Sequence, residues 1–476
     1  METVRLVLVS LLLVITFFIY QAWQAQRPQP VPPPPLAQGT LPTPTASPAA
    51  PAPAAPSANA PAAVSTAARP AGTPVTVSTD VMSVQINTAG GDIARLELTD
   101  YRATADRGAA PYRILDAAPP RFYESQTGLL AADGRPAPDH QALFGATSNS
   151  YSLAPGSDTV EVPLSWTDAG SGVEVRKVYT FRRGRYDIGL RYEVRNSGTQ
   201  PWQAQPYAQL MRKKGADATG SMFMPASFQG AVYYSAADKY RKIGYDDMAK
   251  APLATTLRDG WVGLSEHYFV TAFLLDKGQP HNCYTKALAE DRFLAGCIAG
   301  PLAVAPGQSA TWQTRLYAGP KAQDSLEGVA EGLALTVDYG KLTIIAQPVF
   351  WLLSAIHGAI GNWGWAIILV TLLIKLAFYQ LSAASYRSMA HMRKVQPKIM
   401  AMRERYKDDR QQLNEKMMEL YRTEKINPLG GCLPIVVQIP VFIALYWVLL
   451  ASVEMRNAPW IGWIHDLSAP DPYFIL

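Results

Sequence analysis

Ile367-Ile368-Leu369-Val370-Thr371-Leu372-Leu373-Ile374-Lys375-Leu376-Ala377-Phe378 is an apolar run interrupted by one cation. Trp363 and Trp365 open it and Leu381 closes it, which makes it long enough to cross a bilayer. A lysine inside a span costs about 3 kcal/mol on insertion scales, so something polar is expected to face it. Thr371 stands one helical turn before Lys375, and Tyr379 one turn after. A second apolar run, 434–452, carries Gln438 and Pro440, with Phe442 one turn beyond the glutamine. Two readings of the lysine stand side by side. Thr371, Lys375, Tyr379, Gln438 and Phe442 line a wet groove in the inner half of the bilayer. Alternatively Lys375, roughly 9 Å from the inner end of its helix, snorkels to the surface along its own stem.

Between the two runs lies a polar stretch of helical character. Its basic residues, from Arg387 through Lys398 and Arg405 to Lys425, outnumber its acids. Positive charge beside membrane helices stays in the cytoplasm, which sends whatever precedes the first run to the other side. Tyr386, Met389, Met392, Ile399, Met402 and Tyr406 recur at helical spacing, as do Leu413, Met417, Leu420 and Tyr421 after the break Lys407-Asp408-Asp409. Two amphipathic helices in a hairpin are expected. The methionines either glue these helices together or offer a deformable surface to partner proteins. Upstream, the apolar segment from Leu342 to Leu353 is short and contains Pro348, and it reads as an interfacial helix rather than a span.

The N-terminal half is of another kind. Leu6 to Tyr20 is uncharged and apolar behind Arg5, and its flank Gln21-Ala22-Trp23-Gln24-Ala25 lacks a small-x-small site. An uncleaved signal anchor is expected, with a cleaved signal peptide as the alternative. Residues 27–74 are almost wholly Pro, Ala, Ser, Thr and Gln, an extended tether. From Val75 the period becomes two. Val173 to Phe181 alternates imperfectly; after Arg183-Gly184-Arg185 come Tyr186, Ile188, Leu190, Tyr192 and Val194 on one face. Val84-Ile86 and Ile93-Leu96-Leu98 flank Gly90-Gly91 in a second hairpin. A large exported β-sandwich follows. Cys283 and Cys297 would fall opposite each other in a hairpin centred near Glu290, as a disulfide or as two buried thiols. His267 and His281 lack ligand spacing and read as core or surface residues.

Composition bounds the remaining classes. In 476 residues, three cysteines exclude a disulfide scaffold, and a net charge of +5 excludes a chain devoted to nucleic acid. No phosphate-binding glycine loop or paired metal ligands occur, so no cofactor, metal or catalytic residue is expected. The divisions are 1–26 anchor, 27–74 linker, 75–320 sandwich, 321–362 connecting and interfacial helix, and 363–381 second span. Then follow 382–427 cytoplasmic hairpin, 428–452 third span and 453–476 outer loop.

Asn362-Trp363-Gly364, Ile368-Leu369-Val370-Thr371, Gln396-Pro397-Lys398-Ile399 and Met402-Arg403-Glu404-Arg405 form an ordered set. It continues with Asn427-Pro428-Leu429-Gly430-Gly431-Cys432, Gln438-Ile439-Pro440-Val441-Phe442 and Trp463-Ile464-His465-Asp466-Leu467-Ser468. The set resembles the YidC/Oxa1/Alb3 membrane protein insertases, and the anchor with its exported domain resembles the Gram-negative YidC type. The resemblance implies a non-enzymatic insertase and chaperone of the bacterial inner membrane, with a periplasmic β-supersandwich and an α-helical core. Its implied partners are nascent membrane proteins, the Sec translocon with its accessory subunits, the ribosome and signal-recognition targeting machinery, and the lipid bilayer, with no sequence-specific nucleic acid. Lys375 would be the groove cation, Thr371 and Gln438 its polar lining, Ile439 and Phe442 an apolar slide, and Asp408 the hairpin tip.

The chain departs from the family in two ways. The family's groove cation is usually arginine, whereas Lys375 lacks the bidentate fork and loses its proton more readily when dried out. The family also continues with two further spans, and this sequence ends at Tyr473-Phe474-Ile475-Leu476, where the next is expected to start. Two other readings compete with insertion: a factor tethering periplasmic partners, and an anchored carbohydrate-active enzyme. Turnover by the exported domain would mark the last.

Overall fold

In the computed structural model, the alternating run becomes a strand, Val173–Arg182, paired antiparallel with Asp187–Asn196 so that Val175 faces Val194 and Tyr179 faces Leu190. Gly184 makes the turn at φ 66°, a left-handed conformation that suits glycine. The described residues are 71–106, 108–131, 135–215, 228–406, 409–424 and 433–471. The anticipated anchor, nearly all of the linker, Asp408, the Asn427 to Cys432 motif and the Tyr473 to Leu476 end lie outside them.

The second expected hairpin is Met82–Asn87 with Asp92–Arg102, turning at Gly90 and Gly91. Ile93 and Leu96 are three apart yet both fully buried, because the register shifts between Gln85 and Ile86 and leaves Ala94 bulged. Two mostly antiparallel sheets result, of eleven and nine strands. In the first, Trp202–Lys213 lies between Tyr123–Ala131 and Arg292–Ala299. In the second, Ser309–Pro320 lies between Phe269–Leu274 and Asp187–Asn196. Their inner faces interleave in one core that includes Ile86, Leu96, Val175, Tyr179, Ile188 and Tyr192. Two short helices, α1 (Tyr245–Lys250) and α2 (Gln323–Glu327), complete this half.

Cys283 and Cys297 face each other directly across the hairpin His281–Leu288 and Arg292–Ala299, joined as a disulfide. Glu290 and Asp291, both at positive φ, form its turn. Thiol labelling of the denatured full chain without reductant is therefore expected to find one reactive cysteine, Cys432; three would show that the pair is reduced.

The helical half differs from expectation at its joints. Helix α3 (Thr343–Ile360) runs unbroken through Pro348 for 18 residues, seven residues past the expected end at Leu353, and by length and composition alone is long and apolar enough to cross a membrane. Proline removes one donor and crowds one carbonyl; Pro348 and Ile344, four residues before it, are both exposed. The other face, with Ala346, Val349, Phe350 and Leu353, is buried against α4 (Trp363–Ala377) and α7 (Leu433–Ala451). The expected span 363–381 is bent rather than straight. Helix α4 stops at Ala377, Phe378 leaves helical geometry, and α5 (Tyr379–Arg405) departs at 59°. The hairpin's first arm is thus α5, beginning three residues before Ser382.

Its second arm, α6 (Arg410–Thr423), is capped by Asp409, whose Oδ1 accepts from the backbone N–H of Gln411 and Gln412 at 3.0 Å. Lys398 meets Glu424 at 2.6 Å and ties the arms. The half-buried or buried positions of α5 are Leu381, Ser382, Ala383, Ser385, Ser388, Met392, Val395, Ile399 and Met402, followed by Tyr406 just past its end; those of α6 are Leu413, Met417, Leu420 and Tyr421. Tyr386 and Met389, expected on that face, are exposed instead.

The Asn-Trp-Gly motif has a physical basis at the start of α4. Asn362 caps it, accepting from Trp365 N–H at 3.2 Å, and donates to the Pro459 carbonyl at 3.2 Å. Trp363 stacks on His357 at 3.7 Å. A Cβ on Gly364 would stand 2.2 Å from the Trp460 ring, so only glycine admits that contact.

Candidate functional site

The bend between α4 and α5 gathers most of the residues singled out from the sequence. Lys375 lies in the last turn of α4, just before the bend. That position sets its charge against the partly negative helix end. Its Nζ does not extend away from the protein; it sits 4.7 Å from the centre of the Phe442 ring on α7, within cation–π range. The residue as a whole is exposed, as are the flanking Leu372 and Leu376. Helix α4 is packed along only one side, through Gly364, Ala366, Val370 and Ile374.

Gln438 stands one turn before Phe442 on α7 and donates from Nε2 to Ser382 Oγ on α5 at 3.1 Å. That serine is the residue sequence reasoning missed. Its signal is the run of serines three apart, Ser382, Ser385 and Ser388, near the start of α5. Thr371 turns inward to its own helix, its hydroxyl donating to the Ile367 carbonyl at 2.8 Å, and does not partner the lysine. Tyr379, first residue of α5, and Ile439 are exposed apolar surface beside the bend. The arrangement is a cation and an amide–hydroxyl pair set in an apolar rim formed by three helices, open on one side.

The remaining candidates are elsewhere. Met402 and Tyr406 are half-buried in the hairpin. His281 Nδ1 lies 3.0 Å from the Gln279 carbonyl, and His267 Nε2 lies 2.9 Å from the Leu450 carbonyl, so each histidine is bound to backbone. Burial pushes both imidazoles below the ordinary histidine value. Among the described residues no group of three His, Cys, Asp or Glu side chains is arranged to hold a metal.

Comparison with known proteins divides the chain within α3. Residues 74–352 match the YidC periplasmic domain family, and residues 355–476 the 60Kd inner membrane protein family. The membrane protein insertase YidC of Methylobacillus flagellatus is 50% identical over 402 residues, covering 84% of this chain and 72% of that protein. That of Thioalkalivibrio sulfidiphilus is 44% identical across 100% of this chain and 87% of its own length. Among solved structures, a galactose mutarotase related enzyme from Lactobacillus acidophilus aligns with 52% of this chain and 97% of its own, at a TM-score of 0.35 and 11% identity.

Proposed function

Because this chain belongs to the membrane protein insertase YidC family, we propose that the open notch at the α4–α5 bend is where its clients enter the bilayer. The protein is an inner-membrane insertase with a periplasmic sandwich, and its substrates are nascent membrane proteins. The observation that carries the notch is Lys375 folded back over Phe442 beside the Gln438–Ser382 pair. A polar or acidic client segment exchanges water for the ammonium, the amide and the hydroxyl, while its apolar helix slides along Phe442, Ile439 and Tyr379 into lipid. Thr371, bonded to its own backbone, contributes shape rather than a free donor.

No bond is made or broken, and no cofactor or catalytic residue enters. Burying apolar surface releases about 25 cal/mol per Å², which for a helix long enough to span suffices to drive insertion. The notch shortens the dry path of the polar parts. For an acidic tail the membrane potential opposes export, so Lys375 serves capture rather than pulling. In the same reading α4 with the start of α5, and α7, are spans; α3 lies along the outer face. The basic hairpin, with Met402, Tyr406 and Asp408, meets the targeting machinery, the ribosome and Sec subunits.

Photo-crosslinkers at Thr371, Gln438 and Phe442 are expected to trap a stalled nascent membrane protein on its ribosome, with Gln438 and Phe442 strongest. Adducts confined to the exposed Ile344 on α3, with none at Gln438 or Phe442, would place the entry route elsewhere.

A further inference from the structure

The outer end of α7 enters the sandwich. After Ala451 the chain makes a single 3-10 turn, Val453–Met455, whose two ends serve different cores. Val453 is fully buried in the core of the sandwich, and Met455 is buried among the helices. Arg456 then reaches across. Its Nη2 donates to the carbonyls of Arg102 at 2.6 Å and Ala103 at 3.2 Å, and its guanidinium lies 5.0–5.7 Å from the rings of Tyr112, Tyr268 and Phe269. Asn457, at φ 56°, accepts from the Arg102 N–H at 2.9 Å. Glu454 accepts from the backbone N–H of Gln323, the first residue of α2, at 3.4 Å.

The sandwich answers with one rigid loop, residues 266–268, between strands Gly260–Ser265 and Phe269–Leu274. His267 donates to the Leu450 carbonyl, one of the final α7 carbonyls that lack an intrahelical partner. Glu266 anchors the loop. Its carboxylate meets Arg121 at 2.7 Å and Arg212 at 3.0 Å and accepts from Tyr112 at 2.7 Å, while its carbonyl accepts from Lys321 Nζ at 2.6 Å. Burial alone would raise that carboxyl, but the two guanidinium groups hold it below its ordinary value. Such a buried ion-pair network specifies geometry more than it adds stability. Tyr112 joins the two sites, bonded to Glu266 on one side and lying under Arg456 on the other.

We propose that Arg456 is a positioning residue for the notch: gripping strand carbonyls of the sandwich, it fixes the tilt of α7 and so holds Gln438 and Phe442 against Ser382 and Lys375. This deepens the notch reading and rests on it. From Leu450 to Gln438 the helix covers roughly 18 Å, so a tilt of roughly 10° at its outer end displaces Gln438 by roughly 3 Å. That is as long as the Gln438–Ser382 hydrogen bond itself. The periplasmic domain thereby becomes part of the frame of a site on the far side of the bilayer.

The test uses the full chain in lipid nanodiscs for distances and in proteoliposomes for insertion, with Cys432→Ser and spin labels at Glu174 on the sandwich and Tyr446 on α7. Arg456→Ala is expected to broaden the distance distribution and slow insertion by about tenfold, and Arg456→Lys to fall between it and wild type. The melting transition of the sandwich should not move. Lys375→Leu should slow insertion with the distribution still narrow. A narrow distribution in Arg456→Ala overturns the proposal, as does a broad one with wild-type insertion. Should Arg456→Ala not accumulate, His267→Ala is judged by the same two outcomes. If Lys375→Leu proves silent, the notch reading fails, while the distances still report whether Arg456 holds α7.

Discussion

Lys375→Leu is expected to slow insertion of a client with an acidic translocated segment by roughly 10- to 100-fold, the range of one charge-assisted hydrogen bond. Lys375→Arg should stay close to wild type. Leucine preserves the helix and its apolar character, so the change isolates the charge. Arginine retains the charge and adds a fork, and its planar group stacks on an aromatic ring at least as well as an ammonium does. The ring is present, since Phe442 already lies under the Lys375 ammonium. A lysine that merely snorkelled would predict the reverse ordering of concerns: leucine would be harmless or favourable, because it removes an expensive cation from the apolar run. The two accounts therefore separate on one variant. Insertion would be read as protease protection of the client in proteoliposomes holding the full chain. Clients with a neutral translocated segment serve as the internal comparison and should lose only a few-fold. Wild-type rates for acidic clients with Lys375→Leu would remove the charge from the mechanism.

What could be read in advance followed from periodicity and stopped where contact across the chain decides. The hairpin from Val173 to Asn196 was legible because a two-residue period and a glycine turn are local properties. So was the pairing of Cys283 with Cys297, once the turn was centred at Glu290. The inner face of the cytoplasmic hairpin was half legible. Met392, Ile399, Met402 and Tyr406 lie on it, whereas Tyr386 and Met389 share the helical spacing but are exposed. Near the bend the buried line instead runs through Ser385, where small residues let α5 lie close to its neighbours. The bend itself has no proline or glycine to announce it, so the apolar run reads as one straight helix. Arg456 was wholly illegible. Its partners, Arg102 and Ala103, lie more than three hundred residues away, and an arginine after an apolar run reads as an ordinary flanking charge.

Asp92→Asn and Lys177→Met are each expected to destabilise the sandwich by about 3–5 kcal/mol, the loss typical when one partner of a buried ion pair is removed. The imperfection in the Val173 to Phe181 alternation is Lys177, which occupies an inward position between Val175 and Tyr179. Its side chain is 0% exposed and that of Asp92 1%, with Nζ 3.2 Å from Oδ1. The ammonium also donates to the Gly90 carbonyl at 2.9 Å and lies 5.5–5.6 Å from the rings of Phe144, Tyr179 and Tyr192. Asp92 in turn accepts from the Thr127 N–H at 3.1 Å. The pair thus ties the Gly90-Gly91 turn of the first sheet to a central strand of the second. Methionine at 177 leaves a dry carboxylate without its ammonium, and asparagine at 92 leaves a dry ammonium without its counter-charge; neither can rehydrate without opening the core. The double variant should recover part of the loss, because the remaining groups are then neutral. Urea unfolding of the full chain in detergent, followed by near-ultraviolet circular dichroism of the buried Trp202 and Trp261, measures all three. Single variants within about 1 kcal/mol of wild type, an ordinary mutational effect, would mean that water reaches the pair and that the two sheets are held together by their apolar faces alone.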